Sequence, residues 1–458
     1  MSRMALIAAL AALPLTAQAA DTAAALRDKA LTDPTAYSVL ESLTTEIGPR
    51  PAGSPAQKRA MEWGLATFKS LGFQNVHVEP FTVNAWVRGA EAAEVVSPFP
   101  QKLAILGLGG SVPTPAGGIE AEIVVFPSFA GLMAAAPGSL AGKIAVVTQV
   151  MTRTQDGSGY GAAVGARAIG ASEAGRRGAI GFLIRSISTS ESRLPHTGAL
   201  RYADDAPKIP AAALSTVDAE LLERMAARGK PVRVRLSLDS HVVPDAPAWN
   251  VVGEVVGREK PDEVIVIGGH LDSWDPGTGA IDDGAGVAIT TAAGHLIASL
   301  PQHPRRTVRV VMWGSEEMSG SGAAYGAAHK AEVPKIVLAA ESDLGADPVW
   351  MMRLPAGVVK QPGAQALPDL LAPLKVILDS KPSQFGGSDT DELQEIGVPV
   401  AEIRQDATHY FDIHHSADDT LDKVDPKSLA QNVATWASFI YIAAESDIDF
   451  RAGAKPTP

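Results

Sequence analysis

The sequence predicts an α/β fold: a doubly wound, mostly parallel sheet into which a second, β-rich domain is inserted. Three observations carry this expectation. EVIVIGG, TVRVVMWGS and KIVLAAESD are near-continuous apolar, β-branched runs, the pattern of strands buried on both faces. The helical stretch AGVAITTAAGHLIASL separates the first two, and strands alternating with helices imply parallel pairing through right-handed crossovers. Between about Phe99 and Pro244 the texture changes to Gly, Ala and Pro with short β-rich runs. A chain of 458 residues, 46% hydrophobic and 20% charged, buries a sizeable core and has room for two or three domains.

The opening MSRMALIAALAALPLTAQAADT reads as a secretory leader over residues 1–19. Arg3 supplies the positive start, Met4 to Leu15 the apolar run, and Ala17-Gln18-Ala19 the cleavage site. The run is too short to span a bilayer, so the mature protein is expected in the periplasm or outside the cell. Asp21 to about Lys69 is expected to be helical, with IGPRPAGSP as a turn, and residues 20–98 form the first part of the host domain. The insert, 99–245, holds strand-like KIAVVTQV, AIGFLIRS, IPAAAL and VRVRLSL, with helix-like AVGARAIGASEAGRRG and TVDAELLERMAARG. Residues 246–448 complete the host domain and close with DPKSLAQNVATWASFIYIAAES, an amphipathic helix opening at Asp425 and Pro426. Residues 449–458 are expected to be a disordered tail.

Composition also excludes functions. The balance of 39 Lys+Arg against 51 Asp+Glu, net −12, argues against nucleic-acid and anionic-membrane partners, which need a basic face. The absence of cysteine removes disulfides, thiol catalysis and thiolate metal sites together. Any metal is held by His, Asp and Glu.

In an open α/β sheet, function gathers where the strands end. EVIVIGG runs into His270-Leu271-Asp272, TVRVVMWGS into Glu316-Glu317, and KIVLAAE into Ser342-Asp343. A loop adds Asp282-Asp283, and His414-His415 come late in the chain. Each item alone has an ordinary explanation: acids at a helix N-terminus, a turn, or the capping box Ser416-Ala417-Asp418-Asp419. Together they crowd carboxylates at a cost of several kcal/mol that a cation removes. Histidine with carboxylates suits zinc, with cobalt or manganese as substitutes, and two imidazoles with three carboxylates suffice for two ions.

GGHLDSWDPGTGAIDDGAG, WGSEE, ESDLGAD and HHSADDT resemble the co-catalytic zinc aminopeptidase family. The likeness runs from IGPRPAGSP at Ile47 to the final helix and includes LPHTGALRY and KIPAAALSTVDAELLERM within the insert. The resemblance implies a zinc-peptidase sheet with a protease-associated insert, short unblocked peptides as substrate, and a homodimer. It implies that His270 and Asp343 hold one zinc, Glu317 and His415 the other, and that Asp282 bridges them. Glu316 is then the general base and Asp272 orients the His270 ring. His414 is either a carbonyl or oxyanion contact or structural. His409, Tyr410, Ser388 and Asp389 fill loops near the cleft, and Trp274 and Asp275 divide between packing and function. Two other readings remain: a non-catalytic binding or receptor protein on the same fold, and a single-zinc enzyme resembling glutaminyl cyclases.

Overall fold

The computed structural model describes residues 15–453. The expected leader therefore lies mostly outside the described residues; its end, from Leu15 to Ala19, opens helix α1 (Leu15–Ala30). The central sheet has five strands: β1 (Gln74–Val87), β2 (His241–Val255), β3 (Lys260–His270), β4 (Arg306–Trp313) and β5 (Ile336–Glu341), in the order β1-β2-β4-β3-β5. β3 pairs in parallel with both β4 and β5, as the alternation with helices requires. The expectation of a mostly parallel sheet needs correction, because β1–β2 and β2–β4 are antiparallel and the sheet is mixed. The crossover argument reaches only the three strands that helices join; β1 and β2 are a long ribbon whose far end carries the insert.

Successive side chains of the inner strands enter different cores. Ile265, Ile267, Val308, Val310 and Met312 pack on one face with helix α2 (Ala285–Ala298) and helix α3 (Pro426–Glu445). Val264, Val266, Val311 and Trp313 pack on the other with Tyr325 and Leu393. Burial on both faces is why these strands read as unbroken apolar runs. Each such side chain contributes about 1.5–3 kcal/mol. α3 starts where its sequence says: the Asp425 carboxylate accepts from the Lys427 and Ser428 amides, and Pro426 occupies the first turn.

The inserted segment forms a separate eight-stranded sheet from Glu91 to Leu238 with its own core around Ile144, Val146, Leu183, Leu222 and Val234. Four of its strands pair in parallel, the half-buried Ile119–Phe126 and the fully buried Ile144–Val147, Gly181–Arg185 and Ala211–Leu214, with helices Ser158–Arg176 and Thr216–Ala226 on the sheet. Glu91–Ser97 pairs with Arg233–Leu238, so this unit begins before Phe99. The chain leaves β1 at Val87 and re-enters β2 at His241, and these two residues are paired neighbours. The crossing is tight: a Cβ on Gly89 would lie 1.5 Å from the Asp239 carbonyl oxygen. The first part of the expected tail is packed against the fold. Phe450 is buried, and Arg451 donates to the carbonyls of Gly397 (2.7 Å), Val333 (2.5 Å) and Ile336 (2.7 Å). Residues 454–458 lie outside the described residues.

Candidate active site

His270 closes β3 and is fully buried. Its Nδ1 donates to the main-chain carbonyl of Asp272 at 3.0 Å, which fixes the proton on that nitrogen and leaves Nε2 as a lone pair. Nε2 lies 3.0 Å from Asp282 Oδ1 and 3.5 Å from Asp343 Oδ1. The Asp272 carboxylate, expected to orient this ring, stands at 3.5 Å from Nδ1 and accepts instead from the Glu316 amide at 3.0 Å. It ties the Glu316 loop to the end of β3. Asp283 accepts from the His270 and Gly286 amides, both at 2.9 Å, and so anchors the loop that presents Asp282.

The second half gathers around His415. Its Nε2 lies 3.0 Å from Asp282 Oδ2 and 3.1 Å from Glu317 Oε2. The insert supplies its other contact: Nδ1 donates to the carbonyl of Thr197 at 3.3 Å, and the Thr197 amide donates to the His415 carbonyl at 3.0 Å. His196 Nδ1 donates to the His414 carbonyl at 2.5 Å. Trp274 stands edge-on to His415, 5.7 Å between centroids, and its ring fills the space where a Gly109 side chain would be. Asp275 pairs with Arg88 at 2.7 Å. Trp274 and Asp275 therefore join the insert to the site.

Asp282 is common to both halves, one carboxylate oxygen per imidazole. Two donor groups result, His270–Asp282–Asp343 and Asp282–His414–His415. The spacings of 3.0–3.5 Å match the separation of roughly 3.3 Å between neighbouring ligand atoms of a tetrahedral ion bonded at about 2.0–2.1 Å. The second group contains His414, whose Nε2 is 3.7 Å from Asp282 Oδ2. Glu317 Oε2, at 3.1 Å from His415 Nε2, also stands at ligand spacing in this half. Asp282 Oδ2 and Glu317 Oε1 are buried with no hydrogen-bond partner among the described residues. With Nδ1 of each ring committed to a carbonyl, the Nε2 lone pairs face carboxylate oxygens, Asp282 Oδ1 and Asp343 Oδ1 at His270 and Asp282 Oδ2 and Glu317 Oε2 at His415, an arrangement that only a proton or a metal cation between them stabilises.

The titration of the site agrees. Burial pushes Glu316 up to about 7, with the Asp343 charge adding to it, and burial holds Glu317 at about 8 despite His415. Burial opposes protonation of His270, but the carboxylates of Asp272, Asp282 and Asp343 around it outweigh this and raise that ring well above its ordinary range. His414 stacks on His415 at 3.4 Å, boxed by Tyr410 and Phe411, and its Nδ1 has no partner among the described residues. His409 is exposed and pairs with Asp412 at 3.3 Å. Asp389 is buried against the Ser321 hydroxyl and the Gly322 amide, and Ser388 lines the same cavity as Glu316.

All the residues singled out at strand ends thus meet in one place. Sequence reasoning missed their supports. Arg50 is fully buried and donates to the carbonyls of Leu271 (2.5 Å), Thr278 (2.6 Å) and Gly279 (2.8 Å), bracing both loops that lead to the ligands. Asp419 accepts from the Ile281 amide at 2.6 Å and the Asp282 amide at 3.3 Å. Both stood inside quoted stretches, IGPRPAGSP and HHSADDT, whose turn chemistry explained them too easily.

Two cavities flank Glu316-Glu317. One of about 480 Å³, lined by Trp86, Trp274, Val243 and Met318, opens on Glu317 and is mostly apolar. The other, about 420 Å³ and mostly polar, opens on Glu316. Residues 250–440 match the family model Peptidase family M28. The chain is 38% identical over 413 residues to carboxypeptidase Q of Mus musculus, covering 90% of this chain and 86% of that one. The Bos taurus carboxypeptidase Q is 39% identical, with 89% and 85% covered. A peptidase M28 precursor from Shewanella amazonensis superposes with a TM-score of 0.93 at 44% identity, over 97% and 99% of the two chains. The aminopeptidase from Aneurinibacillus sp. strain AM-1 shares the fold, with a TM-score of 0.63 at 21% identity over 94% and 98%. With these relatives beside a buried centre of His270, Asp282, Glu317, Asp343 and His415, the chain belongs to peptidase family M28 and is a metallopeptidase.

Proposed function

We propose that this chain is a secreted di-zinc exopeptidase that hydrolyses unblocked dipeptides or removes N-terminal residues from short peptides. The observation that carries the reading is Asp282, whose two oxygens each face a different imidazole. His270 and Asp343 would hold one ion, His415 and Glu317 the other, and Asp282 both. When bound, two zinc ions, with cobalt or manganese as substitutes, supply Lewis acidity and lower the pKa of a water at the site. Glu316 does the proton work. It pairs with neither imidazole, and burial holds it near neutral pH, where a general base is most effective. Its carboxylate takes a proton from the attacking water and delivers it to the leaving amine, while Asp272 keeps its main chain in place. His414, with an unpartnered Nδ1, is suited to contact the substrate carbonyl.

Relatives named carboxypeptidase Q and aminopeptidases support action at a chain end. The leader supports secretion, and no described helix is long and apolar enough to cross a membrane. The insert reads as a protease-associated domain, and the chain as a homodimer, on the resemblance of its motifs to the family. The test is hydrolysis of one unblocked dipeptide by zinc-loaded protein beside Glu316→Gln. The wild type cleaves it, and the variant is slower by about 10²- to 10⁴-fold with metal content unchanged. Full activity in the variant, or after chelation, refutes the reading.

A further inference from the structure

The polar cavity beside Glu316 contains a cation that the reaction has not yet used. Arg201 comes from the insert, in the segment LPHTGALRY, and lines this cavity together with Glu316 and Ser319. Its main chain is pinned, since the Leu200 amide donates to the Gly109 carbonyl at 2.9 Å and the Arg201 amide to the Ala168 carbonyl at 2.8 Å. Among the described residues its side chain is held only by Nη2 donating to Ser319 Oγ at 3.0 Å. Ser319 is itself bound to the Glu316 carbonyl through its amide at 2.8 Å, so the guanidinium sits within one turn of the base. Other arginines along the join, Arg88 and Arg153, are engaged by carboxylates; Arg201 makes no ion pair among the described residues.

A general base that hands its proton to the leaving amine stands beside the leaving residue. On that reading of Glu316, its cavity receives the residue beyond the scissile bond, and about 420 Å³ accommodates one amino acid. In a dipeptide that residue ends in a carboxylate. We propose that Arg201 is the residue that binds the free α-carboxylate of the leaving residue of an unblocked dipeptide. A planar guanidinium with free N–H groups matches a carboxylate in a forked pair. The cavity is also lined by the buried Asp389 and by Asp391, Glu392 and Glu395, all exposed, so Arg201 is the one position in it where a carboxylate finds a partner among the described residues. The insert would then contribute a specificity residue in addition to the contacts that hold His415. This inference rests on the proposed peptidase reading.

The experiment compares leucyl-alanine with leucyl-alaninamide on the zinc-loaded protein, on Arg201→Gln and on Arg201→Lys. The wild type favours the free acid by about 10- to 100-fold in kcat/KM, the value of a charged hydrogen-bonded pair. In Arg201→Gln this ratio falls towards one, mainly through KM for the acid, and Arg201→Lys retains part of it. Because the residue is exposed, thermal melting of the variants should match the wild type. A ratio near one in the wild type, or a ratio unaltered in Arg201→Gln, overturns the assignment and leaves the peptidase reading intact. No hydrolysis of either compound by the wild type overturns both.

Discussion

The two imidazoles of the centre are held in different ways. His270 ends a core strand and takes every contact from the loops of one sheet. His415 sits in a loop at φ 60°, a left-handed conformation uncommon outside glycine, and its proton is fixed by Thr197 from the other domain. One half of the centre is therefore as rigid as the sheet, while the other is only as well placed as the join between two domains. Ligand identity alone does not distinguish them; what lies behind each ligand does.

The largest effect should come from the residue that belongs to both halves. On the proposed two-ion reading, Asp282→Asn weakens both ions at once: metal content should fall from two equivalents to below one, and hydrolysis by about 10³- to 10⁴-fold. Elemental analysis of the purified variant checks this. One full equivalent remaining would mean that the halves bind independently.

The join itself should be sensitive to acid. Burial pushes the His196 ring down from 6.5 to about 4. The unfolded chain therefore takes up more protons than the folded one between these values. The stabilisation is complete above pH 6.5 and is lost as pH falls towards 4, about 3 kcal/mol in all. Denaturant midpoints of metal-free protein at several pH values should show the loss, and His196→Asn should flatten it. An unchanged profile in that variant would remove His196 as the cause.

A smaller and more local effect separates the halves directly. A Cβ on Gly109 would lie 2.0 Å from the Trp274 ring, which stands against His415. Gly109→Ala should weaken the ion on the His415 side by about 10- to 100-fold, the usual effect of disturbing a ligand's support, and spare the other. Competition with a chelator should turn a single metal-release curve into two. Equal weakening of both ions would contradict the comparison.

The sequence made the ligands legible because a buried strand that ends in His or Glu breaks its own apolar pattern, as His270, Glu316 and Asp343 do. It made β3, β4 and β5 legible for the same reason. β1 was not, since QNVHVEPFTVNAWV alternates and carries Pro80, the texture of a strand exposed on one side. Nor was Thr197, which acts through its carbonyl, a group every residue has. Nor was the main-chain role of Asp272 legible: a spacing of two residues says that it is near His270, but not that its carbonyl accepts from the ring while its carboxylate accepts from the Glu316 amide.

The pairing of Val87 with His241 has a consequence for how this chain can be cut and rejoined. Removing residues 88–240 would leave two antiparallel strand ends about 5 Å apart, a gap that a two-residue hairpin closes. The insert is thus a parenthesis in the chain, and the sheet beneath it should still assemble without it. The shortened protein would nevertheless lack the acceptor behind His415 and the guanidinium beside Glu316. What can be deleted as topology still matters as chemistry: the unit holds none of the candidate ligands, yet the Thr197 carbonyl that fixes the His415 ring leaves with it.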